Sequence, residues 1–455
     1  MGDFFRDSLA TQPAWRIGEY VSGLSEIWPF RFPNRVGASL SIACALAAVL
    51  TGCAGQAGAD PSAQSRPRFA SGGPNADAYG ANSGYPIGDR STFADSLFIV
   101  GSFSHLDRIF ENRLIRRAAT PSALRRSPSE PAFRHEYAGE TLTLDGYLAR
   151  HPATGFLVAR GDTILVERYQ YARNDRHRLA SWSMAKTVTS MLIGIAVDEG
   201  RIASIDDLAG TYVPALAGTE YGRTSLRHLL QMSSGVRFVE RYTGHDDLAR
   251  LLADSIGQGS AGGADTVKPF NQRVRPSGTM FSYASAETQV LGLVLRGAVG
   301  RPVAAYLQEK IWEPIGAEAD ATWLIDRAGQ EATWCCLNAV LRDYARLGLL
   351  LAHDGQWRGR QIIPAAWIAD ATRAGAGRVR VGNEPTNPEF AAYGYQVWVL
   401  PGERRMFFLS GLLGQLMFVD PGARLVMVHT AVRARPADLG AEIALWRGIV
   451  RELDQ

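Results

Sequence analysis

The hydrophobic pattern divides the chain into an apolar run, a polar spacer and a long stretch of alternating element signals. Residues 36–52 are apolar and uncharged. Residues 54–95 are rich in Gly, Ala, Ser and Pro and lack apolar periodicity, which predicts a flexible linker. A globular body is expected from about Ser96. Within it, residues 154–159 and 163–170 are β-rich runs joined across Arg160-Gly161-Asp162, the turn chemistry of a tight hairpin. Residues 183–199 then place Val188, Leu192 and Ile195 on one helical face, with Gly200 where a left-handed C-cap belongs. Residues 205–350 read as a helical lobe, with helix signals over 226–232, 286–298 and 340–353 that end at Gly235, Gly300 and Gly355. Three apolar runs follow at 405–409, 415–419 and 425–432, and residues 437–453 form a closing amphipathic helix. Strands near both ends of the body with helices between them predict an α/β unit of three layers. Its sheet is antiparallel, a helical subdomain is inserted, and a cleft lies between the lobes.

The ends of the apolar run change its meaning. Arg31 and Arg35 precede it, and it closes on Leu50-Thr51-Gly52-Cys53, which resembles a bacterial lipobox. It is shorter than the roughly 20 residues of a membrane-spanning helix and fits a signal-peptide core. The resemblance implies cleavage before Cys53, lipidation of its sulfur, and a protein anchored in the cell envelope facing the periplasm or the exterior. Residues 1–53 are then an N-terminal extension with a lipoprotein signal peptide, residues 54–95 the tether, and residues 96–455 the catalytic body. The first 33 residues carry acidic residues and tryptophans and are long for a signal peptide's opening region, which suggests a misassigned start codon.

Composition narrows the partners. With 46% hydrophobic and 20% charged residues the balance is that of a globular enzyme, and a formal net charge of +3, spread without a block of like charges, excludes a nucleic-acid footprint. Of four cysteines, Cys335 and Cys336 remain in the body. Because disulfide geometry is demanding, two buried free thiols are expected rather than a vicinal bridge, and no metal site can be built from them.

Among the 48 basic residues only Lys186, Lys268 and Lys310 are lysines. Arginine stays protonated at any working pH, whereas a desolvated lysine can lose its proton and act as a base. Ser183-Met184-Ala185-Lys186 is an S-x-x-K motif opening the buried helix. Three residues of helix bring the two side chains onto one face, about 5–6 Å apart at Cβ. A burial-shifted Lys186 can therefore take the Ser183 proton, and the helix N-terminus favours the developing oxyanion.

Several phrases in order resemble the serine β-lactamase and penicillin-binding superfamily, and within it the class C-like branch of carboxylesterases and 6-aminohexanoate-dimer hydrolases. They are SWSMAKT at 181–187, LRHLLQMSSG at 226–235, FSYAS at 281–285, LRDYARLG at 341–348, and GLLGQ at 411–415 followed by Asp420-Pro421. The resemblance implies that fold, an acyl-enzyme on Ser183, Lys186 as base, and Tyr283 of Tyr283-Ala284-Ser285 as proton shuttle, without a cofactor. It places Leu409-Ser410-Gly411 where the family carries K-T-G, and Ser285 where its β-lactamases carry asparagine. Both departures argue against antibiotic hydrolysis, since leucine cannot pair with a carboxylate. Gly411 is expected to let substrate approach the strand, and the Leu412 N–H to be the second oxyanion donor beside that of Ser183. Ser410 and Ser285 complete the expected substrate contacts, and Tyr242 is expected to border the acyl pocket. Asp246, Asp247 and Asp254 either contact a substrate amine or cap helices, and His228 and His245 are structural, since no G-x-S-x-G elbow surrounds a serine. The resulting expectation is hydrolysis of a small ester or amide. Penicillin-binding or β-lactamase activity and a catalytically inactive binding lipoprotein are the alternatives.

Overall fold

Ala153–Arg160 and Thr163–Tyr169 pair antiparallel across the two-residue turn Gly161-Asp162, with Gly161 at φ 63° in the left-handed conformation that such a turn requires. This hairpin seeds the main sheet in the computed structural model, which describes residues 65–242, 244–256, 259–373, 392–433 and 439–455. The three apolar runs near the end form Phe407–Gly411, Gln415–Asp420 and Leu425–Ala431, and the last pairs antiparallel with Ala153–Arg160. The sheet runs Arg68–Phe69, Thr163–Tyr169, Ala153–Arg160, Leu425–Ala431, Gln415–Asp420, Phe407–Gly411, Trp398–Val399, Ala392–Tyr393, and Arg125–Arg126 adds to the Thr163–Tyr169 strand. It is antiparallel throughout, apart from the short parallel additions of Arg68–Phe69 and Arg125–Arg126 to that strand.

Strand alternation separates two cores. Phe407, Leu409, Met417, Val419, Val426 and Val428 face the helices Ala185–Asp198, Ser285–Val299 and Leu341–Ala352. Phe408, Leu416, Phe418, Leu425 and Met427 face the closing helix Gly440–Leu453 through Ile443, Leu445, Trp446 and Ile449. Helix, sheet and helix are thus the three expected layers.

Three expectations need correction. The body already includes Ser65, well ahead of the start expected near Ser96. Ser65 Oγ donates to Ile164 O at 3.1 Å, Ala70 N donates to Tyr169 O at 2.9 Å, and Tyr79, Tyr85 and Phe93 are core residues. The low apolar content of this segment concealed it, because a few aromatics and backbone bonds to the sheet edge fix it without periodicity. The lobe over 205–350 is also less uniform than expected. It contains the strands Ala321–Leu324 and Leu337–Ala339, which join Asn112–Ile115 and Leu179–Ala180 in a second antiparallel sheet. The helix Leu341–Ala352 lies on the main sheet, where a Cβ on Gly348 would meet Val426 at 2.6 Å, so it belongs to the sandwich. Finally, Cys335 and Cys336 form a vicinal disulfide. They sit in a buried turn that puts Cys336 at φ 69°, a backbone twist that adjacent residues in a regular element lack. Cys53 and the rest of residues 1–64 lie outside the described residues.

Candidate active site

The second sheet delivers the S-x-x-K motif. Leu179–Ala180 pairs with Leu337–Ala339, and Ser181 N donates to Leu337 O at 2.9 Å. The chain then turns sharply at Trp182, whose φ of 43° is uncommon for a bulky residue. Its burial and an edge-to-face contact with Phe103, centroids 5.3 Å apart, hold it there. A single 3-10 turn, Trp182–Met184, leads into the helix Ala185–Asp198. From residue 179 to residue 196 only Ser183 is not buried. The hydroxyl therefore faces out of an otherwise closed element.

Lys186, one turn on, is 1% exposed. Its Nζ lies 2.8 Å from Ser183 Oγ, 3.0 Å from Ser285 Oγ and 2.9 Å from Trp334 O. Burial pushes the amine down to about 7, against the opposing pull of Glu240. The rings of Tyr283 and Trp334 lie 5.0 Å and 5.3 Å from the nitrogen at their centroids. Trp334 directly precedes the Cys335–Cys336 turn, so the disulfide bears on the carbonyl that holds the amine.

Tyr283 is half-buried just before the helix Ser285–Val299 and stacks on Trp398 at 5.6 Å. Burial and then Glu240 raise its phenol, while contact with Ser183 pulls it back. Phe281, Tyr393 and Trp398 continue an aromatic wall from Tyr283.

Ser285 departs from its expected role. It is fully buried, so it does not face substrate; its hydroxyl lies between Lys186 Nζ and Glu240 Oε1, the latter at 2.9 Å. Tyr242 is half-buried with its hydroxyl on Glu240 Oε1 at 3.1 Å, and burial raises it well above the ordinary phenol range.

Opposite the serine runs Phe407–Gly411. A Cβ on Gly411 would stand 2.4 Å from Ser181 O and 3.1 Å from Ser183 N, so only glycine lets this strand close on the Ser183 turn. Ser410 and Leu412 beside it are half-buried. The turn at Leu412 is tied down by Gln415, whose Nε2 donates to Leu412 O at 3.0 Å and to Ala431 O at 2.7 Å. Leu409 is 2% exposed and packs into the core, away from any anion.

The beta-lactamase family model matches residues 143–449, which spans the hairpin, the Ser183 turn, Tyr283 and the Gly411 strand. The chain belongs to the beta-lactamase family. It is a serine hydrolase of that family, consistent with its relatives. A 6-aminohexanoate-dimer hydrolase from Paenarthrobacter ureafaciens is 28% identical over 311 residues, 66% of this chain and 78% of that protein. A solved structure from Bacillus anthracis, provisionally named a 6-aminohexanoate-dimer hydrolase, matches with a TM-score of 0.71 at 24% identity, covering 82% of this chain and 98% of its own. A penicillin-binding protein homologue from Caulobacter crescentus (TM-score 0.52, 19% identity, 67% and 93% covered) and EstCE1, a hydrolase with promiscuous acyltransferase activity (TM-score 0.52, 15% identity, 65% and 93% covered), share the fold.

In this beta-lactamase family hydrolase the remaining polar candidates are structural. Asp246 caps the helix Asp247–Ser255 by accepting from Ala249 N at 3.0 Å, Asp247 Oδ2 accepts from Val239 N at 2.7 Å, and Asp254 Oδ1 accepts from Ala261 N at 3.3 Å. His228 Nδ1 lies 2.8 Å from Ser277 Oγ. Sequence reasoning missed Glu240, the carboxylate at the centre of the Ser285, Tyr242 and Lys186 contacts. The only signal pointing to it was its place two residues before Tyr242.

Proposed function

We propose that this hydrolase cleaves an ester or amide through an acyl-enzyme on Ser183, with Lys186 as base and Tyr283 as proton shuttle. The observation that carries this reading is the 2.8 Å contact between Lys186 Nζ and the one outward-facing hydroxyl of the buried turn. With the amine near 7, a large share is neutral at neutral pH, and its lone pair accepts the Ser183 O–H proton as Oγ attacks the carbonyl carbon. The Ser183 and Leu412 N–H groups receive the oxyanion. Tyr283, held protonated by its environment, gives its proton to the leaving group and recovers one from the Lys186 ammonium. Water then attacks the acyl carbonyl and restores Ser183. No step calls on a cofactor.

The name of the Paenarthrobacter relative makes short linear amides the first substrates to try, beside p-nitrophenyl esters. The aromatic wall of Phe281, Tyr283, Tyr393 and Trp398 suits an apolar acyl chain or leaving group. Leu409 in place of a cation argues against β-lactam turnover, so nitrocefin is expected to be a poor substrate. Lipid anchoring at Cys53 remains part of this reading, and loss of palmitate labelling in Cys53→Ala would support it. The decisive test is labelling with a fluorophosphonate. The wild type is expected to label and Ser183→Ala not to label; an unlabelled wild type, or equal labelling of both, overturns the reading and favours a binding protein that has lost catalysis.

A further inference from the structure

We propose that Glu240 is a positioning residue of this hydrolase: through Ser285 it aims the lone pair of Lys186 at Ser183. The proposal rests on the reading of Ser183 and Lys186 given above.

The argument is a count of hydrogens. Ser285 N donates to Glu240 Oε2 at 2.8 Å, Ser285 Oγ donates to Oε1 at 2.9 Å, and the Tyr242 hydroxyl donates to Oε1 at 3.1 Å. The carboxylate thus commits the only hydrogen of the Ser285 hydroxyl. That hydroxyl can then face Lys186 Nζ, 3.0 Å away, only as an acceptor, and the Trp334 carbonyl at 2.9 Å can only accept. Both N–H bonds of a neutral amine are spoken for, and the lone pair is left for Ser183. Without Glu240 the Ser285 hydroxyl is free to turn its hydrogen onto that lone pair and compete with the nucleophile.

Glu240 is itself held. Its loop is clamped by Asp247, which accepts from Val239 N at 2.7 Å, and by Asp246, which accepts from Arg241 N at 2.7 Å. Three donors lie on its two oxygens, and it reaches the lysine through the Ser285 hydroxyl. Glu240 also favours the protonated amine against the burial that opposes it, while burial raises Glu240 itself and the Lys186 ammonium and the Ser285 and Tyr242 hydrogen bonds pull it back. The other titratable groups that act on Glu240 or are acted on by it are phenols: Tyr242 on its own loop, Tyr283 ahead of the Ser285 helix, Tyr393 from the sheet edge, and Tyr221. All four are raised by burial and stay neutral across the working range. Glu287, on the Ser285 helix, is pushed up to about 8 by burial and titrates nearby, so it needs a control.

The experiment is the pH profile of kcat/KM for p-nitrophenyl butyrate, with active sites counted by fluorophosphonate labelling in the same samples. Glu240→Gln is expected to cut kcat per labelled site by ~10²-fold. It is also expected to move the acid limb down by about one pH unit, with KM little changed. Ser285→Ala keeps the charge and breaks the relay, so it is expected to lose kcat while its midpoint stays closer to wild type than that of Glu240→Gln. Should Glu240→Gln fail to fold, Ser285→Ala at the wild-type rate per site overturns the proposal on its own. An unshifted midpoint in a folded Glu240→Gln, a loss confined to KM, or a midpoint that follows Glu287→Gln instead would also overturn it. A wild type that does not label at all would remove the underlying reading, which is a separate outcome.

Discussion

Of the three lysines, Lys268 pairs with Asp265 at 2.7 Å and Lys310 with Glu199 at 2.5 Å near the surface. Lys186 is buried among two hydroxyls, a carbonyl and two aromatic rings. Holding an amine there costs stability, and its return is chemical. Lys186→Met, close in shape and uncharged, is therefore expected to lose hydrolysis by ~10³-fold while thermal unfolding stays at or above the wild-type temperature. A stability loss in step with the activity loss would make the lysine a packing residue. In the wild type, the rate is expected to fall tenfold per pH unit below about 7, as the amine gains the proton it must lack to act as base. The Ser183–Lys186 pair was legible because it is local, a spacing of three on one helix. Glu240 was not, because its bond to Ser285 joins a loop to a helix 45 residues away in the chain, and such a meeting is decided by packing.

At the level of elements, unbroken apolar runs bounded by Gly and Pro made the strands Phe407–Gly411, Gln415–Asp420 and Leu425–Ala431 readable, and each buries residues against both helical layers. The short strands Ala321–Leu324 and Leu337–Ala339 were hidden. They are only four and three residues long, too short for a period or a run to show, and merge with the helical text around them. The Gly411 strand runs tight against the Ser183 turn. Gly411→Ala must move either the strand or the Ser181 carbonyl, and both adjoin the proposed oxyanion donors. It is expected to lower kcat by ~10²-fold while the protein stays folded, measured by steady-state kinetics beside circular dichroism. A wild-type kcat would mean that the strand does not supply the second donor.

For the whole molecule, the expected layers were correct and the boundary was not. The segment that reads as tether contributes Tyr79, Tyr85 and Phe93 to the core, and Tyr79 and Tyr85 both contact Tyr171 edge to face at 5.8 Å and 5.9 Å. Each such side chain stabilises the fold by ~1.5–3 kcal/mol. A chain starting at Ser65 keeps these contacts. One starting at Ser96 is expected to melt at least ~5 °C lower or to fail to fold, as read by differential scanning calorimetry. Equal melting temperatures would restore the segment to a linker.

The most direct test of the account is to mix the enzyme with p-nitrophenyl butyrate, quench in acid within the first turnovers, and weigh the intact protein and its peptides. One butyryl group on the peptide carrying Ser183, absent from Ser183→Ala and formed far more slowly in Lys186→Met, is the predicted result. Turnover with no adduct, or an adduct on another residue that survives in Ser183→Ala, would contradict it.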